Sequence, residues 1–132
     1  MIDVADLVKC SYSMEPNLTT THNCASVVRE VLIRLGYDEA AQGFPVLPEA
    51  ALLLLSRQIE TLPWVKIGHS RDSLREPGDI AVTDSPADGH LGVSILIQSR
   101  DQRVITALPE CGVRIMRTRA LKNIKSVYRP LR

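Results

Sequence analysis

Cys24 follows the polar run Thr19-Thr20-Thr21-His22-Asn23, and behind it Val27, Val28, Val31, Leu32 and Leu35 recur at helical spacing. That spacing predicts a short core helix with Asn23 as N-cap and Gly36 as its C-terminal stop. Glu30 and Arg34 stand four apart in the favourable order on its other side. A thiol in the first turn of such a helix faces unpaired amides and the positive end of the helix dipole. Both favour an anion, so the sequence predicts a lowered pKa and a more nucleophilic sulfur. A small buried cysteine that merely starts a core helix fits the same residues. A base has to come from elsewhere, and there are three histidines. His22 lies in the approach to the helix, and His69 lies in a polar loop. His90 stands where a glycine-containing loop enters the very apolar run 91–97. That is where a scaffold can hold a polar group rigid yet reachable, or where a strand end simply satisfies itself locally. Cysteine at a helix start with histidine at the head of a strand can form a nucleophile–base pair, in which helix dipole and imidazolium together hold a thiolate.

The elements that must position this pair follow from periodicity. Residues 2–9 predict a short helix, 10–17 an irregular segment, and 37–47 a connector. Pro48 fits the first position of a helix running to about Ile59. Residues 63–68 suit a short strand or an extended lead-in, and 71–77 a polar loop. From Gly78 the period becomes that of strands, with candidates at 79–83, 90–97, 103–108, 113–117 and 126–129. Helices followed by an antiparallel meander predict an α+β fold, with N-terminal helices packed on a sheet of about five strands. There is no internal repeat, linker or low-complexity segment, so residues 1–132 form one domain.

Composition narrows the function. Apolar residues make up 45% and charged residues 23%, as in a soluble globular protein. The net charge of +1 gives no strong overall field for nucleic acid or membrane. It is unevenly spread, however. Residues 100–132 hold nine Lys or Arg against Asp101 and Glu110, a net of +7, so residues 1–99 carry −6. The basic third is either a face for a polyanion or a set of outward positions on solvated strands, and no aromatics are interleaved with it to stack on bases. Cys10, Cys24 and Cys111 are an odd number, spaced for neither a metal knuckle nor a disulfide framework, which predicts a reducing compartment. The first six residues, Met1 to Asp6, lack the basic and apolar regions of a signal peptide. Synthesis in the cytoplasm is expected, with separate delivery if the target lies in the periplasm, the cell wall or a virion.

Three pieces resemble the NlpC-like cell-wall cysteine peptidases and their CHAP amidase relatives. Asn23-Cys24-Ala25-Ser26-Val27-Val28 is similar to the family's helix start, Asp-Cys-Ser-Gly followed by a hydrophobic residue and Val. Glu76-Pro77-Gly78-Asp79-Ile80 resembles its Pro-Gly-Asp segment and is followed by Gly89-His90-Leu91-Gly92-Val93, which is similar to its His-Val-Gly strand. Residues 103–107, 112–115 and Val127-Tyr128-Arg129-Pro130 resemble its closing strands, in the manner of phage-tail-linked members. The resemblance implies a papain-like, NlpC-type fold and a thiol hydrolase cleaving an amide of peptidoglycan. It implies Cys24 as nucleophile, His90 as general base and Thr106 at the third position; Asp84 and Asp88, near His90 in sequence, are substitutes for that third group. Tyr12, twelve residues before the cysteine, and Asn23 become candidates for substrate contact. No metal or cofactor is implied. Peptidoglycan or another amide is the expected partner, with a phage tail or secretion system as a possible assembly. The departures are Asn23 for the usual Asp, the absence of the glycine pair expected after Tyr12, and Thr106 where the family has His, Asn, Gln or Glu. They leave open a catalytically weak binding or assembly module.

Overall fold

In a computed structural model that describes residues 2–56, 63–84 and 91–131, the chain is a sheet with its helices on one face. A single 3-10 turn, Leu7–Lys9, leads into β1 (Ser11–Tyr12), which pairs in parallel with β2 (Thr21–His22). Then come α1 (Cys24–Arg34), α2 (Asp38–Gln42) and α3 (Pro48–Ser56). The strands are β3 (Trp64–Gly68), β4 (Ile80–Asp84), β5 (Leu91–Gln98), β6 (Arg103–Leu108), β7 (Gly112–Arg117) and β8 (Ile124–Pro130). Strands β3 to β8 form a six-stranded antiparallel sheet in the order β3-β8-β4-β5-β6-β7.

The α+β reading of the sequence is the fold observed, with one strand more than the five expected in the main sheet. Three stretches differ. Residues 37–47, expected as a connector, contain α2, whose small Ala40 and Ala41 pack into the core. Residues 10–17 contribute β1, too short for any periodicity to show. The helix expected over residues 2–9 shrinks to the single 3-10 turn.

The helix α1 forms for the reasons its residues suggest. Val27, Val28, Val31 and Leu32 are wholly buried against β5 and β6, each contributing about 2 kcal/mol by leaving water. Gly36 ends the helix with φ 87°, a left-handed conformation that costs glycine nothing. At its C-terminal end Arg34 makes paired 2.7 Å bonds to Asp6 and one of 3.1 Å to Glu30, tying the N-terminal segment to the helix. The guanidinium of Arg34 holds the exposed Asp6 carboxyl down at about 2.

The sheet has two apolar faces. Val93, Ile95, Ile97, Ile105, Ala107 and Val113 meet α1 in the larger core, while Leu74, Ala81, Leu96, Val104, Leu121 and Val127 form a second cluster on the other face. Asp79, wholly buried at the start of β4, joins the sheet centre to its last strand. It accepts bonds of 2.9 Å from both Nε and Nη2 of Arg129 and from the amides of Arg75 (2.9 Å) and Glu76 (3.0 Å). No helix among the described residues is long and apolar enough to cross a membrane.

Candidate active site

Cys24 is the first residue of α1, and a reciprocal cap holds the turn that presents it. Asn23 Oδ1 accepts the Ser26 amide at 2.8 Å, and Ser26 Oγ accepts the Asn23 amide at 2.8 Å. The Ser26 hydroxyl also lies 3.1 Å from the Asn23 carbonyl. His22 Nδ1 shares a 2.9 Å hydrogen bond with Ser26 Oγ. Asn23 Nδ2 donates to the Val46 carbonyl at 2.6 Å, pinning the segment before α3 to the same point. His22, Asn23 and Ser26 are all buried. Asn23 therefore spends both ends of its amide on the scaffold and presents neither to a substrate, contrary to the contact expected for it. It is the cap that the sequence also predicts.

The sulfur of Cys24 sits under the sheet at a place where two strands part. Pairing of β5 with β6 runs from Gln98↔Arg103 to Ile95↔Ile105. Beyond it, the Val93 carbonyl accepts the Thr106 hydroxyl at 2.8 Å, and the Val93 amide acts on the Cys24 sulfur. Cys24 is 7% exposed. Burial pushes its thiol up, while the amides of Val93, Ala25 and Cys24 itself pull it down. Among the described groups the pKa thus moves opposite to the fall expected from the helix dipole, because removing a thiolate from water outweighs three nearby amides.

Tyr12 is brought to this place by the small sheet. Its phenol is pushed up by burial and then by the nearby Cys24, which puts the two side chains within electrostatic reach. Its hydroxyl donates to the Met14 sulfur at 2.9 Å. The approach depends on Gly112, whose φ is 74° and where a Cβ would stand 2.6 Å from the Cys10 carbonyl oxygen. That contact lets Val113 donate to the Cys10 carbonyl at 3.2 Å and seats β1 beside β7.

Thr106 is not brought to Cys24. Ile105 and Ala107 face α1, so Thr106 between them points to the other side of the sheet, with its hydroxyl on Val93. His90 and Asp88 lie outside the described residues, as does the side chain of Asp84. His69 is exposed and next to the 3-10 turn Arg71–Ser73. All three cysteines are free, with Cys10 and Cys24 buried and Cys111 exposed. No group of three His, Cys, Asp or Glu among the described residues is arranged to hold a metal. Sequence reasoning missed the His22–Ser26 pair and the Asp79–Arg129 link. The first was visible as a hydroxyl three residues after an N-cap, and the second had no local signal.

No protein-family model matches the sequence, and no curated protein is detectably similar to it. Solved structures are similar in fold. NlpC2 from Trichomonas vaginalis superposes with a TM-score of 0.62 at 17% identity, over 96% of this chain and 43% of that one. NlpC1 from the same organism gives 0.60 at 19% identity, over 96% and 42%. The chain thus has an NlpC-like, papain-type fold and spans less than half the length of either of these proteins.

Proposed function

We propose that the chain is a cysteine hydrolase of amide bonds, with peptidoglycan as the substrate class. The observation that carries this reading is the placement of Cys24: first residue of a capped helix, packed where β5 and β6 part, within an NlpC-like fold. In this reading the Cys24 sulfur attacks the carbonyl carbon and the C–N bond breaks to give an acyl-enzyme, which water then hydrolyses. His90 takes the thiol proton and returns it to the leaving amine. Backbone amides of the first turn of α1 face the developing oxyanion. Thr106 serves as a positioning residue: its hydroxyl holds the carbonyl of Val93, the residue whose amide acts on the sulfur. Tyr12, near Cys24, lines the substrate side.

A second reading, a papain-like module that binds or assembles without turnover, is favoured by one observation. Thr106 points away from Cys24, so it is no direct orienter of a catalytic imidazole. Incubation of the protein and of Cys24→Ala with purified peptidoglycan separates the two readings. New fragments by mass spectrometry from the parent alone support the hydrolase. Identical patterns from both remove peptidoglycan cleavage from the account.

A further inference from the structure

At the end of the sheet away from Cys24, two clefts share a wall. One, of about 450 Å³, is lined by Arg71 and Arg75 with Asp72. The other, of about 400 Å³, is lined by Arg100, Arg117 and Arg119 with Asp101. Gln102 and Thr118 belong to both. They form a built ridge: Thr118 donates its amide to the Gln102 carbonyl at 2.7 Å and its hydroxyl to Gln102 Oε1 at 3.4 Å. Gln102, at φ 52°, donates from Nε2 to the Ser99 carbonyl at 3.0 Å. The clefts lie some six residues along β5 and its turn from Val93, roughly 20 Å at strand rise.

Basic side chains outnumber acidic ones in the two clefts, five to two. Among the described residues, the side chains of Arg100, Arg117 and Arg119 make no hydrogen bond or ion pair, although Asp72 and Asp101 line the same clefts. Arg103 and Arg117 are direct cross-strand partners, like charges facing each other at a cost to the sheet. An arrangement that keeps guanidinium groups free and mutually repelling is complementary to a chain of anions. No aromatic residue lines either cleft, so there is no platform for stacking bases. The two carboxylates repel phosphate but accept from hydroxyls, which suits a polymer that alternates phosphate with polyol.

We propose that this end of the sheet binds a base-free polyol-phosphate polymer, with Arg100, Arg117 and Arg119 on its phosphates and Asp72 and Asp101 on its hydroxyls. The inference does not depend on turnover at Cys24, so it is tested in the Cys24→Ala protein. Binding of a labelled glycerol-phosphate polymer is followed by anisotropy against salt, beside a short DNA duplex. The polymer binds more tightly than the duplex. The combined Arg100→Gln, Arg117→Gln and Arg119→Gln variant weakens it about tenfold or more and lowers the salt slope by about 2, at roughly 0.7 per phosphate contact. Arg119→Gln alone lowers the slope by about 0.7, and Arg114→Gln, outside both clefts, leaves it unchanged. The proposal is overturned if the triple variant binds as the parent does, if Arg114→Gln costs as much as Arg119→Gln, or if the duplex binds more tightly through the same arginines.

Discussion

Ser26→Ala tests whether the cap truly organises the turn that presents Cys24. Ser26 Oγ accepts the Asn23 amide at 2.8 Å, pairs with His22 Nδ1 at 2.9 Å and lies 3.1 Å from the Asn23 carbonyl. Alanine keeps half of the cap, because the residue 26 amide still donates to Asn23 Oδ1. The Asn23 carbonyl also keeps the Val27 amide as a partner. What is lost is the partner of one buried amide and of one buried ring nitrogen. Each such orphan costs about 1–3 kcal/mol, and partial relaxation brings the sum to roughly 2–4 kcal/mol. With a urea m value of about 2 kcal/mol/M, the midpoint falls by about 1–2 M. Ser26→Thr, which keeps a hydroxyl, recovers part of the loss. Equilibrium urea unfolding reads all three proteins. A midpoint for Ser26→Ala within about 0.25 M of the parent, which corresponds to about 0.5 kcal/mol, would refute this account of the cap.

Asp79→Asn removes the charge that Arg129 engages twice at 2.9 Å, and because Asp79 is wholly buried while Arg129 is partly exposed, the loss is about 2–4 kcal/mol in denaturant unfolding. A cost below about 0.5 kcal/mol would show that the terminal strand is held by packing alone. Burial holds the His22 pKa below its ordinary value near 6.5, with Arg34 also lowering it and Glu30 and Asp6 opposing. The unfolded chain therefore takes up a proton first as pH falls, so the stability is fully present above about 6.5 and declines below it. His22→Gln flattens that part of the stability–pH curve, and an unchanged curve would assign the decline to other groups. Gly112→Ala, with a left-handed φ and a Cβ driven to 2.6 Å from the Cys10 carbonyl oxygen, destabilises by about 2 kcal/mol or more. An unaffected thermal midpoint would mean that β1 does not depend on this approach.

Much of this architecture is legible in the chain because its signals are local. The apolar spacing of Val27, Val28, Val31 and Leu32, the cap at Asn23 and the stop at Gly36 act within a single helix. Strand β6 is bounded just as its alternation predicts, at Arg103–Leu108. What escaped is long-range. Asp79 finds Arg129 fifty residues away, and β1 is two residues long and held by a contact at Gly112. The site was legible in its nucleophile and less so in its surroundings. Helix-end position favours a thiolate, but how deeply Cys24 is buried depends on packing between α1 and β5, which no local pattern records. Thr106 occupies a motif position, yet strand alternation turns it to the other face, with Ile105 and Ala107 taking the face toward α1.

Burial and activation pull the Cys24 thiol in opposite directions, and their balance can be measured. The rate of iodoacetamide alkylation at Cys10, Cys24 and Cys111, followed against pH by peptide mass spectrometry, compares a candidate nucleophile with one buried and one exposed thiol in the same chain. If a histidine base and the first-turn amides offset burial, Cys24 reacts fastest of the three, with an inflection below about 8, under the ordinary thiol value near 8.5. If Cys24 instead reacts more slowly than Cys111, with an inflection above about 9, burial dominates and the hydrolase account is contradicted.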